Sequence, residues 1–335
     1  MVTEEQVKQA LENVAVPGVG RSLIEMNLVR EIALSAEEVS VVVASAALAP
    51  DAQDFITGKV REVLQELPGV GGVAVDFTEV KPKEVNDIGY IAAVMSGKGG
   101  VGKSLVAALL GVGLARRGAA VGILDADITG PSVPRMFGLG GARPSGSESG
   151  ILPVLSRSGI EVMSINLMLP EEDDAVIWRG PLISRAITQF WEEVLWGKLD
   201  YLIVDLPPGT ADAPLTVMQT LPVSSAVIVF SPQELAAMVV RKAIKMTRKM
   251  NVPILGVVEN MSYFVLPDSG RKLELFGKSS GEEMARASGT PLLTQIPIDP
   301  ELAQLCDEGN IERYDSDILK TFIDNFLRER SLKAG

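Results

Sequence analysis

One run of glycines and lysines has the residue types and the spacing of a phosphate-binding loop. Residues 90–104 read YIAAVMSGKGGVGKS, in which an apolar run leads into Gly97–Ser104, a match to the pattern G-x-x-x-x-G-K-[ST]. Glycines let the backbone turn tightly with its N–H groups aimed inward, and the N-terminus of a following helix adds unpaired N–H groups. The sequence therefore predicts a site for the phosphates of a nucleoside triphosphate.

Each position of this loop has a predicted contact with the nucleotide. Lys103 would bring a positive charge to the β- and γ-phosphates, and Ser104 would offer its hydroxyl to Mg²⁺. The predicted nucleotide-binding residues of the loop are Gly97, Lys98, Gly99, Gly100, Val101, Gly102, Lys103 and Ser104. A glycine-rich turn with a lysine by chance is the alternative, and the complete pattern between an apolar run and a helix makes it the weaker interpretation.

Carboxylates end two further apolar runs, where they could complete such a site. Residues 122–127 read GILDAD and end in Asp125 and Asp127, and residues 201–205 read YLIVD and end in Asp205. Ligands of open α/β sheets bind at the carboxyl ends of the strands. We expect Asp205 to be a Mg²⁺ partner, usually through water. A cap at the end of a strand is the alternative role for this aspartate.

The composition excludes several other kinds of catalytic site. The chain of 335 residues has no histidine and a single cysteine, Cys306. Ser-His-Asp hydrolysis, the usual zinc sites and an internal disulfide are therefore excluded, whereas a metal held by oxygen ligands, such as Mg²⁺ with a nucleotide, is compatible.

Charge and hydropathy indicate where the protein works. The net charge of −12 argues against broad contact with nucleic acid or with anionic lipid. No run reaches the roughly 18 apolar residues of a membrane span. Residues 1–14 hold early glutamates and no long apolar run, unlike a signal peptide. We expect a cytoplasmic protein that binds neither nucleic acid nor membrane.

Two patterns of elements are predicted along the chain. Residues 1–80 indicate a small α+β domain with helices at 4–13 and 54–66 and strands at 28–34, 38–45 and 73–77, followed by a linker at 81–87. In residues 88–335, continuous apolar runs alternate with helical patterns, which predicts a doubly wound, mostly parallel α/β sheet. Its predicted strands are 90–95, 120–124, 160–165, 201–205, 226–230, 254–259 and 292–295, and its predicted helices are 103–117, 182–195, 234–250, 280–288 and 316–330. Residues 138–150 are expected to form a mobile loop.

The phosphate loop carries an extra lysine, Lys98, and so resembles the deviant P-loop class that includes ParA, MinD, the nitrogenase iron protein and the Mrp/ApbC group. The strings that resemble Mrp/ApbC proteins in particular are LDADITGPSVPRMFG (124–138), WRGP (178–181), DYLIVDLPPGTAD (200–212), SPQE (231–234), RKAI (241–244), VPILGVVENMSYF (252–264) and PIDP (297–300). Residues 1–80 resemble, more loosely, the small domain in front of many Mrp proteins and in iron–sulfur assembly factors. The resemblance implies a P-loop ATPase with ATP and Mg²⁺ as cofactors.

The resemblance also implies catalytic roles for single residues. Lys98 would reach the phosphates of the partner chain in a homodimer, Lys103 would bind the phosphates, and Asp127 would orient or activate the attacking water. Asp125 would support the Mg²⁺ shell, in which Asp205 would be the main acidic partner. Slow hydrolysis of ATP is the implied reaction.

The adenine side of the site is likewise implied by the resemblance. Asn260 would contact adenine, and the backbone of Pro297 and Asp299 would line the base pocket.

The chain departs from the Mrp/ApbC pattern at the positions that hold an iron–sulfur cluster. The two cysteines of the family's C-x-x-C correspond to Leu266 and Ser269, and a cysteine of the small domain corresponds to Ala49. Leucine has no donor atom, and a serine oxygen is a poor ligand for a soft metal. The remaining thiol, Cys306, is expected to be a buried small apolar residue. We expect the family's ATPase scaffold without the usual cluster ligands, with iron–sulfur assembly or client proteins as partners.

Two other functions are compatible with parts of the sequence. A ParA/MinD-like positioning ATPase would use ATP-driven dimerisation on DNA or membrane, and two helices bear on it. The helix at 234–250 has a basic face formed by Arg241, Lys242, Lys245, Arg248 and Lys249. A solvated face is the favoured interpretation there, and docking on the protein's own sheet is favoured for the helix at 316–330, whose polar side has mixed charge. A dethiobiotin-synthetase-like ligase shares the fold but not the Mrp-type strings.

Overall fold

The computed structural model describes residues 2–35, 38–127, 130, 132–168, 180–209, 212–232 and 236–334. Residues 128, 129, 131, 178, 179, 210, 211, 233 and 234, which belong to strings that carry the resemblance, lie outside the described residues. The chain divides into two compact units, and neither is a continuous stretch. The smaller unit comprises Met1–Gly89, Arg143–Leu155 and Gln189–Leu199, and the larger unit comprises Tyr90–Ala142, Ser156–Thr188 and Asp200–Gly335.

The elements alternate along most of the chain. The strands are β1 Val29–Leu34, β2 Glu38–Ala44, β3 Gly72–Thr78, β4 Asp87–Ile88, β5 Ile91–Ser96, β6 Val121–Asp125, β7 Ser145–Ser147, β8 Gly150–Leu152, β9 Val154–Leu155, β10 Glu161–Ser164, β11 Lys198–Leu199, β12 Tyr201–Asp205, β13 Ser225–Phe230, β14 Ile254–Glu259, β15 Phe264–Val265, β16 Lys272–Leu273 and β17 Leu292–Gln295. The helices are α1 Glu4–Leu11, α2 Pro50–Gln65, α3 Pro82–Val85, α4 Lys103–Ala115, α5 Val133–Met136, α6 Gly180–Glu193, α7 Asp212–Thr220, α8 Ala236–Lys249, α9 Gly281–Ser288, α10 Pro300–Asp307 and α11 Asp317–Ala334.

The smaller unit is built on a three-stranded sheet in the order β1-β2-β3. Strands β1 and β2 are antiparallel, and β2 and β3 are parallel. Helix α1 begins with a capping box, in which Thr3 accepts from the Gln6 N–H and the Gln6 side chain accepts from the Thr3 N–H. Both α1 and α2 bury one face, represented by Leu11 and Ile56, in the hydrophobic core of this unit.

The larger unit is built on a sheet that contains the parallel strands β17-β14-β13-β5-β12-β6-β10, in that order. Strands β5, β6, β12, β13 and β14 are buried along their whole length, as expected when helices cover both faces of a sheet. Because β5, β12 and β6 are neighbours, their carboxyl ends bring the phosphate loop, Asp205 and Asp125 together.

The predicted fold class is confirmed, whereas some local predictions are wrong. The predicted strands at 201–205, 254–259 and 292–295 coincide with β12, β14 and β17. Residues 138–150, expected to be a mobile loop, include β7, which pairs antiparallel with β8. Residues 81–87 contain α3 and the first residue of β4, and the linker predicted there stays a prediction. The domain boundary predicted there stays a prediction.

Candidate functional site

The glycines of the phosphate loop adopt a backbone that other residues rarely take. Gly100 and Gly102 have φ angles of 78° and 80°, in the left-handed region. A Cβ atom on Gly102 would lie 2.1 Å from Nδ2 of Asn260, so this position requires glycine for space as well. Gly102 is also the N-cap of α4, which begins at Lys103. The unpaired N–H groups of the first turn of α4 therefore adjoin the loop.

The side chain of Lys103 lies among acidic groups. It is only 5% exposed, and Nζ lies 2.5 Å from Oδ1 of Asp205 and 3.6 Å from Oδ2 of Asp127. It also donates to the Ser104 hydroxyl at 3.3 Å. Two carboxylates compensate the buried ammonium, which would otherwise be costly to remove from water. The structure thus brings together four of the residues that the sequence predicted for the site.

Asp125, the last residue of β6, accepts three hydrogen bonds. Its Oδ1 accepts from the Asp127 N–H at 3.2 Å, and its Oδ2 accepts from the Val133 N–H and the Ser164 hydroxyl at 3.3 Å each. Burial raises the pKa of Asp125 to about 8, and the charge of Asp205 adds to the rise. Since both oxygens accept hydrogen bonds within the protein, Asp125 holds the segment that carries Asp127.

The two carboxylate oxygens of Asp205 differ, since Oδ1 is paired with Lys103 and Oδ2 has no hydrogen-bond partner among the described residues. Burial raises the pKa of this carboxyl, and the ion pair with Lys103 opposes the rise. Its Oδ2 is buried without a hydrogen-bond partner among the residues that the structure describes. An acceptor left unpaired in a buried place calls for a partner such as a water molecule or an ion.

These oxygens fit a Mg²⁺ ion that arrives with a nucleotide. Within the described ranges, no group of three or more His, Cys, Asp or Glu side chains could hold a metal ion. Mg²⁺ in nucleotide sites needs only one or two protein ligands, because phosphates and water supply the others. Oδ2 of Asp205 and the hydroxyl of Ser104, on the first turn of α4, are the atoms that would serve.

Lys98 lies near the start of the loop and is half-buried. Its backbone carbonyl accepts from the hydroxyl of Ser96, the last residue of β5, at 2.9 Å. The predicted reach of its side chain to a second chain stays a prediction.

The residues predicted to contact adenine have bonds of their own. Asn260 is 1% exposed, and its Nδ2 donates to the Val101 carbonyl of the phosphate loop at 2.9 Å. Asp299 caps α10 by accepting from Glu301 N–H at 2.9 Å, and Pro297 lies between β17 and this cap. Asn260 is therefore in contact with the loop, and the adenine contacts of all three residues stay predictions.

Glu259 is a buried residue of this region that the sequence analysis missed. Its carboxylate accepts from the Ser262 and Ser279 hydroxyls at 2.6 Å each, and from the Ser280 N–H and Gln295 Nε2 at 2.8 Å each. The sequence does carry a signal for Glu259, because this residue ends an apolar run in the same way as Asp205.

The positions that correspond to cluster cysteines lie in an exposed hairpin. Leu266 donates its N–H to the carbonyl of Arg271, and the Ser269 hydroxyl donates to Asp268 Oδ1 at 3.1 Å. Cys306 lies in α10, where burial raises the pKa of its thiol to about 11. Ala49 is the N-cap of α2 and makes no side-chain cap.

The two helices considered for DNA or membrane binding differ in their surroundings. In α11, Phe322 and Phe326 are buried at 1% and 0% exposure, and this helix packs against α4 and β17. Docking on the protein's own sheet is thus confirmed. The cations of α8 that formed the predicted basic face are exposed. No helix in the described part of the chain is long and apolar enough to cross a membrane.

The chain is similar in sequence and in structure to several known proteins. An iron-sulfur cluster carrier protein of Aquifex aeolicus is 40% identical over an alignment 357 positions long with its gaps, which covers 96% of this chain and 94% of that protein. The nucleotide-binding protein of Archaeoglobus fulgidus, solved in complex with ADP, is 50% identical with a TM-score of 0.64 and covers 70% of this chain and 92% of its own. MinD of Pyrococcus horikoshii, solved with Mg-ADP, is 23% identical with a TM-score of 0.52 over 75% of this chain and 98% of its own, which shows the shared fold.

Family comparison covers both parts of the chain. Residues 4–76 match the family described as iron-sulfur cluster assembly protein, and residues 87–328 match the family described as NUBPL iron-transfer P-loop NTPase. With these matches and the phosphate loop at the carboxyl end of β5, the chain belongs to the NUBPL iron-transfer P-loop NTPase family.

Proposed function

We propose that this protein is a cytoplasmic, homodimeric ATPase that binds Mg-ATP at Gly97–Ser104 and hydrolyses it slowly. The observation that carries the proposal is the position of Lys103, a buried ammonium at the N-terminus of α4 beside Asp205 and Asp127. A cation at a helix N-terminus with inward N–H groups is a site for phosphate.

The residues divide the work of phosphoryl transfer. The loop and Lys103 bind and orient the phosphates, and transfer to water needs mainly such positioning and charge stabilisation. Asp127, held by the bond from its N–H to Asp125, orients the attacking water. Lys98 adds a second positive charge, from the partner chain of the homodimer. Mg²⁺, when bound, would neutralise charge on the phosphates.

Calorimetry with Mg-ATP tests the proposal directly. The wild-type chain should release heat on titration, and Lys103→Ala should release none, because the loop loses its phosphate-binding charge. Circular dichroism and thermal unfolding of the variant provide the control for folding. Equal binding by both chains would contradict the proposal.

We further propose that the chain serves iron–sulfur assembly without binding a cluster through the usual ligands. Its relatives are named iron-sulfur cluster carrier proteins. Here Leu266 and Ser269 occupy the ligand positions, and the thiol of Cys306 is half-buried with a raised pKa. Such a chain would use ATP hydrolysis to act on iron–sulfur assembly or client proteins.

Reconstitution under anaerobic conditions tests this second part. After incubation with iron and sulfide and removal of the excess, wild type and Cys306→Ala should retain the same background of iron and acid-labile sulfide. The matched control is Leu266→Cys with Ser269→Cys, which restores the family pattern and should retain more. A stable cluster in the wild-type dimer would refute the proposal.

A further inference from the structure

The end of β14 lies between the phosphate loop and an exposed segment. We call residues 262–280 the hairpin segment, because β15 and β16 pair antiparallel within it before α9 begins. Every residue from 267 to 279 is exposed. The segment also presents four large apolar side chains to solvent, which are Val265, Leu273, Leu275 and Phe276. Such a segment has little packing of its own, so its two ends determine its position.

Asn260 fixes one peptide group of the phosphate loop. Its Nδ2 donates to the carbonyl of Val101 at 2.9 Å, and its own N–H donates to the carbonyl of Phe230 at 2.8 Å. The C=O and N–H of a trans peptide point in opposite directions. Since Asn260 holds the Val101 carbonyl, the N–H of Gly102 in the same peptide faces away from Asn260.

Close packing leaves this arrangement little freedom. A Cβ on Gly102 would meet Asn260 Nδ2 at 2.1 Å and the methyl group of Met261 at 3.8 Å. Met261 has a φ of 56°, a left-handed conformation that is unfavourable for a side chain of this size. Backbone strain persists where the surrounding structure imposes it, and such residues cluster at functional sites.

Glu259, the preceding residue, holds both ends of the hairpin segment. It is fully buried and accepts hydrogen bonds from Ser262 at one end and from Ser279 and Ser280 at the other. The Gln295 amide adds a bond from β17. Two consecutive residues thus contact the phosphate loop on one side and the ends of an exposed segment on the other.

We propose that Asn260 is a positioning residue that orients the Gly102 N–H toward the phosphates, and that Glu259 transmits the state of the loop to the hairpin segment. The inference rests on the proposed binding of Mg-ATP at the loop. Nucleotide binding then changes the exposure of the hairpin segment through residues 259–261, without contact between the nucleotide and the segment.

Binding of three ligands tests the role of Asn260. In Asn260→Ala, Mg-ATP, Mg-GTP and magnesium tripolyphosphate should each bind about three- to tenfold more weakly, the effect of one lost hydrogen bond. The loss should extend to magnesium tripolyphosphate, which has no base, because the affected donor faces the phosphates. A loss confined to ATP would show contact with adenine and would overturn the proposal, as would unchanged affinity for all three. If Asn260→Ala does not fold, Asn260→Ser takes its place in the experiment, because a serine side chain is also too short to reach the Val101 carbonyl.

Hydrogen exchange tests the transmission. Saturating Mg-ATP should change the exchange of residues 262–280 in the wild-type chain. Glu259→Gln, which cannot accept the same set of bonds, should bind Mg-ATP within about twofold of wild type and lose most of the change. The proposal would be overturned if Mg-ATP changed the exchange of residues 262–280 in Glu259→Gln as much as in wild type. It would also be overturned if a wild-type chain that binds Mg-ATP showed no change in this exchange.

Asn325 provides the matched control. Its Nδ2 also donates to a backbone carbonyl, that of Leu293 in β17, at 2.8 Å. Asn325→Ala removes the same kind of bond and should leave both ligand affinities and the exchange response as in wild type. A wild-type chain that binds no Mg-ATP would refute the proposed function itself, so the two failures are distinguishable.

Discussion

At the scale of single residues, the two lysines of the phosphate loop differ in their surroundings. Lys103 is buried beside Asp205 and Asp127, whereas Lys98 is half-buried near the start of the loop. Lys103 is paired with aspartates of its own chain, whereas Lys98 is predicted to act on the partner chain. The two lysines should therefore have separable effects on binding and on hydrolysis.

Lys98→Ala should reduce hydrolysis much more than binding. We expect the turnover of Mg-ATP to fall by about a hundredfold, the cost of losing one group that stabilises charge in the transition state. The dissociation constant of Mg-ATP should change by less than about threefold, since Lys103 and the backbone N–H groups remain. Steady-state turnover and calorimetry on the same preparation measure the two quantities. Equal losses in both would contradict a role of Lys98 toward the partner chain.

Cys306 should react slowly with alkylating reagents. Burial, helped by Asp307, raises the pKa of its thiol from 9.0 to about 11. Because the thiolate is the nucleophile, the folded chain at about pH 8 holds roughly a hundredfold less of the reactive form than the unfolded chain. Iodoacetamide labelling followed by mass spectrometry, with and without urea, compares the two rates. Similar rates would show that the folded thiol is not protected.

At the scale of elements, α4 is held closely on both sides. A Cβ on Gly111 would lie 2.7 Å from the Ile123 side chain of β6, and one on Gly113 would lie inside contact distance of Ile323 in α11. These two glycines let α4 approach its neighbours. Since the first turn of α4 contributes to the phosphate loop, the packing of α11 supports the site.

Phe326→Ala should destabilise the larger unit. The side chain is fully buried and meets Tyr90 and Tyr201 edge-on, with ring centroids 6.4 and 6.2 Å away. Loss of a buried phenylalanine costs about 3–5 kcal/mol through lost burial and the cavity left behind. Unfolding in urea measures the free energy of unfolding of the variant and of the wild-type chain. Leu332→Ala, at a position 70% exposed in the same helix, is the control and should change it by less than about 0.5 kcal/mol.

At the scale of the whole molecule, two features bear on the formation of a homodimer. They are the net charge of the chain and the predicted contact of Lys98 with the phosphates of the partner chain. A net charge of −12 keeps separate copies apart at low salt. The homodimer proposed above would form against this repulsion, and the proposed contact of Lys98 with the phosphates of the partner chain would join the two copies.

Mg-ATP should therefore promote a homodimer. Sedimentation should give the mass of one chain, 35.7 kDa, without nucleotide and about twice that mass with Mg-ATP in excess. Lys103→Ala should stay at the lower mass under both conditions, because it should bind no nucleotide. A wild-type protein that is a single chain even in saturating Mg-ATP would argue against the homodimer.

The parts of the site that are local in sequence could be predicted. Gly97–Ser104 is one continuous stretch that comprises the turn after β5 and the first two residues of α4, and Asp205 ends a continuous apolar strand. Glu259 was missed, although it also ends such a strand, since its partners lie between residues 262 and 295 and only folding brings them together. The contribution of residues 143–155 and 189–199 to the smaller unit is non-local for the same reason.

The sequence by itself determined the phosphate loop, the parallel α/β class and the absence of histidine chemistry, because each depends on residue type and short-range spacing. Only the tertiary structure decided that Lys103 is paired with Asp205 and that Asp125 is bonded on both oxygens. It also decided that Asn260 contacts the loop. The contacts of Lys103 with Asp205, of Asp125 with Ser164 and of Asn260 with Val101 join residues about 40 to 160 positions apart. Their geometry follows from strand order, which no local pattern contains.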